Sequence, residues 1–415
     1  MSRSVSEQFF WAAFNGPLST LQSLHETFTP SDLDVNWRYQ GRFSPFFAAC
    51  QKGNLEAVEF LLGLPEGEVD VNLADTDKST PCFTAAQYNH SDVVARLLQD
   101  PRVDCWSPHH DGCTPFFSAC QHGHTRIAEL LAADVRVDVA RPKDGGFTPF
   151  HTSCSNDHTD IVRLLCNDPR VDVNRMSSGG GNPLLSACFD GHDSAVTILL
   201  DCPRIDVNVG NWSNCSPLYM ASQQGHKTLV ERILASHHDI DTQRQCNTTT
   251  DPEENGMKAA AWARKVQTLP RYHYMTEEDY DRSKLHGNAI GDLIDAYDAD
   301  KVAVRAKLRT LPHLRHDFIN KTFALAVFAS DDFLKIGEAL SSSSSSSCVN
   351  SIVPESSEAS KAKKFLRIMS SLPLELQMIL CHRMHGSMKN FVICQESEKG
   401  FKWLAMRLLL DSAAA

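Results

Sequence analysis

The chain has 415 residues, enough for two or three domains or for one long repeat array with appendages. Its hydrophobic share of 42% is that of a folding protein, while a formal charge of −11 opposes phosphate and anionic lipid, which argues against nucleic acid or a membrane surface as partner. No stretch approaches the roughly 18 apolar residues of a membrane span. The N-terminus lacks a basic-then-apolar leader, so the fourteen cysteines read as reduced thiols in the cytosol or nucleus.

The first segment, residues 5–36, carries Phe9-Phe-Trp-Ala-Ala-Phe14 and closes on Asp34-Val-Asn36, a shortened opening unit. A repeat then sets in. A Ser/Thr/Asn-Pro pair recurs with prolines at 45, 81, 115, 149, 183 and 217, spaced 36, 34, 34, 34 and 34. Nine residues after each proline stands Asn54, His90, His124, His158, His192 or His226. An apolar helical pattern such as Ile161-Val-Arg-Leu-Leu165 follows, and each unit ends on a phrase like Asp168-Pro-Arg-Val-Asp-Val-Asn174.

Each part has a physical role. The Ser, Thr or Asn caps a helix whose first position takes Pro, where the missing N–H costs nothing. Gly53, Gly123, Gly191 and Gly225 end that helix in a turn that needs positive φ. The second helix buries a Val/Ile/Leu face, Pro101, Pro169 and Pro203 stop it, and the Val-Asp-Val-Asn segment turns into a hairpin.

These phrases resemble the ankyrin-repeat family, with its repeat of about 33 residues and its Thr-Pro-Leu-His and Gly-His signatures. The resemblance spans about residues 5–245. It implies an all-α ankyrin-repeat solenoid, helix pairs joined by short β-hairpin loops, followed by a smaller helical C-terminal region. One departure stands out: the His two residues after Pro survives as His151, while Phe47, Phe83, Phe117, Leu185 and Tyr219 take its place elsewhere. Apolar core packing is expected to replace the polar bonds there.

Several groupings suggest chemistry without supporting it. Helices stacked about 8–10 Å apart cannot bring histidines at 34-residue spacing within about 2 Å of one metal. Cys50, Cys120, Cys154 and Cys188 lie five residues after their prolines and read as small core residues too far apart for disulfides. Cys105, Cys113 and Cys215 lie near hairpins and are expected to be more exposed. Cys381, His382, His385 and Cys394 match no zinc-finger spacing, and Gly179-Gly-Gly181 lacks the Lys-Ser/Thr of a phosphate loop. No catalytic, cofactor or metal residue is proposed, and the chain is expected not to be an enzyme.

A solenoid binds through its concave face and protruding loops. The fingertip candidates are Trp37, Tyr39, Arg42, Trp106, His109 and Trp212, with packing on an adjacent hairpin the competing role for Trp37 and Trp212. Six and seven residues after each proline the first helix presents a polar, Gln-rich strip: Gln51, Gln87, Tyr88, Gln121, His122, Phe189 and Gln223. A monomeric scaffold for an unidentified protein partner is the expected function.

Beyond the array, 246–270 contains Ala259-Ala-Ala-Trp-Ala-Arg264, a decayed last repeat. Residues 271–340 form a helical region, with helical spacing at Ala289–Tyr297 and Phe318–Phe328. Seven serines, 341–347, open a Ser-rich linker to 360. The helical C-terminal segment 361–415 carries Leu372-Pro-Leu-Glu-Leu376 and Ile379, a phrase that resembles the opening of an F-box. That resemblance implies docking onto a cullin–RING ubiquitin ligase through Leu372, Pro373, Leu374, Leu376 and Ile379, with the array as substrate receptor.

Overall fold

The computed structural model describes residues 4–247, 255–268 and 275–314. Two helices open the fold, α1 (Val5–Asn15) and α2 (Leu18–Thr27). Six pairs follow in the expected register: α3 (Pro45–Lys52) with α4 (Leu55–Leu62), α5 (Pro81–Gln87) with α6 (Ser91–Leu98), and α7 (Pro115–His122) with α8 (Thr125–Ala133). Then come α9 (Pro149–Ser155) with α10 (Thr159–Cys166), α11 (Pro183–Asp190) with α12 (Asp193–Asp201), and α13 (Pro217–Gln223) with α14 (Lys227–Ala235). A short strand pair, β1 (Gln245–Cys246) and β2 (Met257–Lys258), leads to α15 (Ala259–Lys265), α16 (Glu277–Ala299) and α17 (Lys301–Leu308). The chain divides into a unit ending at Arg305 and a second unit, of which residues 306–314 are described. The Phe318–Phe328 helix, the serine run and the F-box-like segment lie outside the described residues.

The first helices start for the reason their sequences suggest. Ser44, Thr80, Thr114, Thr148, Asn182 and Ser216 each accept a hydrogen bond from the backbone N–H three residues on, with Pro in the first helical turn. First helices stack on first helices and second on second. The core between them runs continuously along the array, from Phe46 and Phe47 through Phe116, Phe117 and Phe150 to Leu218 and Tyr219. His151 keeps polar bonds in this core, its Nδ1 3.2 Å from the Thr148 hydroxyl and its Nε2 donating to Gly181 O at 2.9 Å. At the equivalent position Phe47, Phe83, Phe117 and Leu185 are buried apolar side chains, so apolar packing replaces the polar bonds there, and Tyr219 is buried as well.

Two ladders of side-chain bonds join the repeats. In the first, the residue opening each second helix reaches back to the preceding first helix. Nε2 of His90, His124, His158, His192 and His226 donates to the carbonyls of Gln51, Gln87, Gln121, Ser155 and Phe189, at 2.8–3.2 Å. Asn54 begins the series by donating to Ala13 O at 3.1 Å. The His rings lie so close to the preceding turn that a Cβ on Gly123 would sit 2.6 Å from His158, and Gly123 has φ +74° besides.

The second ladder satisfies helix ends. Nη2 of Arg102, Arg136, Arg170 and Arg204 donates to the last-turn carbonyls of α4, α6, α8 and α10, at Leu62, Leu98, Ala132 and Cys166. These carbonyls have no partner within their own helix, and a cation there also complements the helix dipole. His238 takes the next rung at Leu200 O and Arg305 the last at Leu234 O. Asp100, Asp134 and Asp168 hold their arginines in place, and that pairing lowers each carboxyl below its ordinary range.

The C-terminal end is closed by imitation of a further repeat. Helix α15 packs on α13 as a first helix would, and Trp262 stacks on Tyr219 with ring centroids 6.0 Å apart. Helix α16 packs on α15 and α14, and Ser283 Oγ donates to Gln223 O at 2.9 Å, the rung a histidine occupies in the repeats. Helix α16 begins at 277, a full turn and more before that rung.

The cysteines differ from expectation. Cys82 pairs with Cys105 and Cys215 with Cys246, with Cα–Cα distances of 5.2 and 4.7 Å, so the fourteen thiols are not uniformly free. The spacing argument against disulfides applies to equivalent positions one repeat apart, whereas Cys82 on α5 meets the segment leading into the next finger. Cys50, Cys120, Cys154 and Cys188 are free and buried. Cys105, Cys113 and Cys215 are buried too, because the finger bases they occupy fold against the helices.

The first ladder yields a prediction. Gly123→Ala lowers stability by about 1–2 kcal/mol, from the strained backbone and a displaced His158 rung. Gly123→Asn costs less, since Asn tolerates positive φ, as Asn89 does at the equivalent turn. Urea denaturation of the two variants checks the order.

Candidate binding surface

The concave strip lies at the C-terminal ends of the first helices, where the carbonyls of the histidine ladder also lie. Gln51 and Gln87 are half-buried beside those bonds. Tyr88 projects with 53% of its surface exposed, and Phe189 is at 37%. Gln121 and His122 are exposed between them; His122 bonds through Nδ1 to Ser118 O at 2.8 Å and stacks on His124 with centroids 5.7 Å apart. Gln223 is half-buried, its carbonyl bonded to Ser283, and Gln224 is buried at the turn that α16 covers. The strip thus runs open from Gln51 to Phe189 and is closed at its last rung.

The fingers are held tip to tip by backbone bonds: His110 N to Asp77 O, Asp144 N to Asp111 O, and Ser178 N to Gly145 O, at 2.9–3.1 Å. Their bases are bridged by Asn36, Asn72, Asn174 and Asn208, each donating to one finger and accepting from its backbone. Trp106 and Ala140 stand where the pattern calls for Asn, and Trp106 instead lies beneath the Arg136 guanidinium, 4.9 Å from its ring centre.

Most fingertip candidates face neighbours. Trp37 and Tyr39 join Phe10 and Trp11 of α1 in an aromatic cluster, with Tyr39 stacked on Phe10 at 4.9 Å. Arg42 is paired with Asp75 at 3.2 Å and with Asp77 of the next finger. His109 stacks on Phe83 at 5.3 Å and bonds to Asp111 at 2.8 Å. Trp212 differs. Its indole crosses Gly180 of the preceding finger, where a Cβ would meet it at 2.7 Å, yet 73% of its surface is exposed. The α1 side of the aromatic cluster is absent from the candidates read off the repeat; its signal was Phe9-Phe-Trp-Ala-Ala-Phe14, which carries Lys52 Nζ over Phe14 at 5.7 Å.

The acid–base groups here are structural. Burial alone would raise the Asp111 carboxyl, but hydrogen bonds from His109 and Cys113 outweigh it and hold it at about 2. Cys113, buried and donating its thiol to Asp111 at 3.2 Å, is pushed up to about 12. Burial likewise raises Cys50, Cys120, Cys154 and Cys188, which keeps them protonated and poor nucleophiles. Among the described residues no group of three or more His, Cys, Asp or Glu is placed to hold a metal, and no helix is long and apolar enough to cross a membrane.

Comparison with known proteins agrees with this architecture. The family model for ankyrin repeats (3 copies) matches residues 9–109, 101–177 and 169–246, more than half of the chain. The chain belongs to the ankyrin-repeat family. It is similar to the ankyrin repeat domain of Bcl-3, described as a unique member of the IkappaB protein family, at 21% identity and a TM-score of 0.47, over 58% of this chain and 97% of that one. No curated protein sequence matches.

The buried histidine gives this array a pH dependence of known sign. Burial holds His151 below its ordinary value, so the folded state favours the neutral ring and the unfolded chain binds more protons. Its contribution is complete above about pH 6.5 and is lost as pH falls below that. The urea midpoint therefore drops between pH 7.5 and 5, and a His151→Leu chain, with the residue found at 185, loses less over the same range.

Proposed function

We propose that the chain is a protein-binding scaffold that captures a partner through the open part of its concave strip and the exposed fingertip at Trp212. The observation that carries this reading is that an array of stacked repeats leaves large aromatic side chains exposed, Tyr88 and Phe189 at the ends of first helices and Trp212 on a finger. Aromatic side chains on a preorganised surface supply large contact area at low entropic cost, the usual make-up of a binding hot spot. The strip carries little charge, which suits a protein or peptide better than nucleic acid. No residue is assigned a catalytic role.

The test is identification of partners by proximity labelling in cells, followed by binding measured with purified full-length variants. Tyr88→Ala and Phe189→Ala each weaken the principal partner by at least about tenfold, the cost of removing a hot-spot side chain. Trp212→Ala weakens it as well, while Gln51→Ala changes it little. If all four bind like the wild type, the concave reading fails.

A substrate receptor of a ubiquitin ligase is a second reading, resting on the Leu-Pro-x-Glu-Leu phrase at 372–376, which lies outside the described residues and beyond the family match. Recovery of cullin adaptor with the full-length chain, lost in a Leu372→Ala/Leu376→Ala double variant that still recovers array partners, supports it. Equal recovery from both chains sinks it.

A further inference from the structure

The last rung of the histidine ladder differs chemically from the others. His226 is held between Phe189 O, 3.2 Å from Nε2, and Arg282 Nη1 of α16, 3.3 Å from Nδ1. A carbonyl only accepts and a guanidinium only donates, so the ring is neutral, with its proton on Nε2. The adjacent Ser283 donates to Gln223 O, and its backbone approaches Gly225 so closely that a Cβ there would stand 2.5 Å from Ser283 Cα. At this junction helix α16 donates to two neighbouring positions of the array, His226 and Gln223.

We propose that α16 is a pH-released strap: protonation of His226 sets an imidazolium N–H against the Arg282 guanidinium and lifts the first part of α16, uncovering the Gln223–His226 turn at the end of the concave strip. The charged groups around the ring favour this outcome. From α16, Arg282 touches it, while Asp279 and Glu278 are engaged by Arg282 at 2.7 and 3.3 Å and Asp279 also by the Thr276 hydroxyl. From the array, His192 adds like charge when protonated, and Asp190 is held toward its neutral form by burial, which His192 opposes and Asp279 reinforces. Burial and then Arg282 both lower the basicity of His226, against the weaker pulls of the Phe189 carbonyl and of Asp279. Docking is therefore strongest above about pH 6.5 and weakens as pH falls.

The rest of α16 has separate anchors. Arg264 pairs with Asp292 and Asp295, and Asp298 accepts from Thr242 and Gln243. Gly287 and Gly291 lie between these anchors and Ser283, and interior glycines are the weak points of a helix. Lifting is confined to about residues 276–286. This device is independent of which partner the strip binds.

Hydrogen exchange of the full-length chain at pH 7.5 and 5.5, corrected for intrinsic rates, tests it. Peptides within 276–286 lose protection by about three- to tenfold per pH unit relative to α7 and α8, tenfold being the ceiling for one proton. Arg282→Gln, whose amide can donate to the neutral ring and accept from the charged one, clearly reduces that response and leaves only the part due to burial, while His226→Gln abolishes it. His192→Gln leaves it intact. The proposal is overturned if 276–286 tracks α7 and α8 at both pH values in the wild type, or if Arg282→Gln keeps the wild-type response.

Discussion

The array depends on one contact repeated along its length: an imidazole N–H at the start of a second helix donating to a carbonyl at the end of the preceding first helix. The contact is short range and favours a left-handed turn with little bulk, and Gly53, Gly123, Gly191 and Gly225 face the next layer with positive φ. Asn89 and Asp157 take the same conformation, and Asp157 uses its carboxylate to accept from Ala195 N in the next repeat. Because each rung ties only neighbouring layers, stability accumulates along the array and no distant core is required.

The two ladders divide the labour of joining repeats. Histidine rungs bind the ends of first helices, next to the concave strip, while arginine rungs bind the ends of second helices. Each removes an orphaned carbonyl that would otherwise need water. With the backbone so satisfied, Tyr88 and Phe189 stay exposed on the strip, while His122 beside them bonds to Ser118 O. Trp37, Trp106 and His109 carry a structural duty, since each packs on an aromatic or cationic neighbour.

Both ends are capped without a further full repeat. At the N-terminus α1 supplies Ala13 O to the first rung and an aromatic cluster to the first finger. At the C-terminus α16 offers Ser283 and Arg282 where a repeat would offer a histidine. A serine rung does not titrate, so at this end of the array the titratable rung is His226, which has an arginine as its second neighbour.

The sequence by itself determined the register of six helix pairs, their caps, their left-handed turns and the buried character of the recurrent cysteines, because these follow from residues within a few positions of one another. It also pointed to Tyr88, Phe189 and Trp212 as exposed. Only the tertiary structure decided that Arg42 and Trp106 are partly spent on the next repeat and His109 on Phe83, that Cys82 meets Cys105, and that α16 completes the array. Those contacts join residues that no local pattern relates, such as Ser283 and Gln223, 60 positions apart. Periodicity places a residue within its own repeat; which surface covers it depends on how the layers stack.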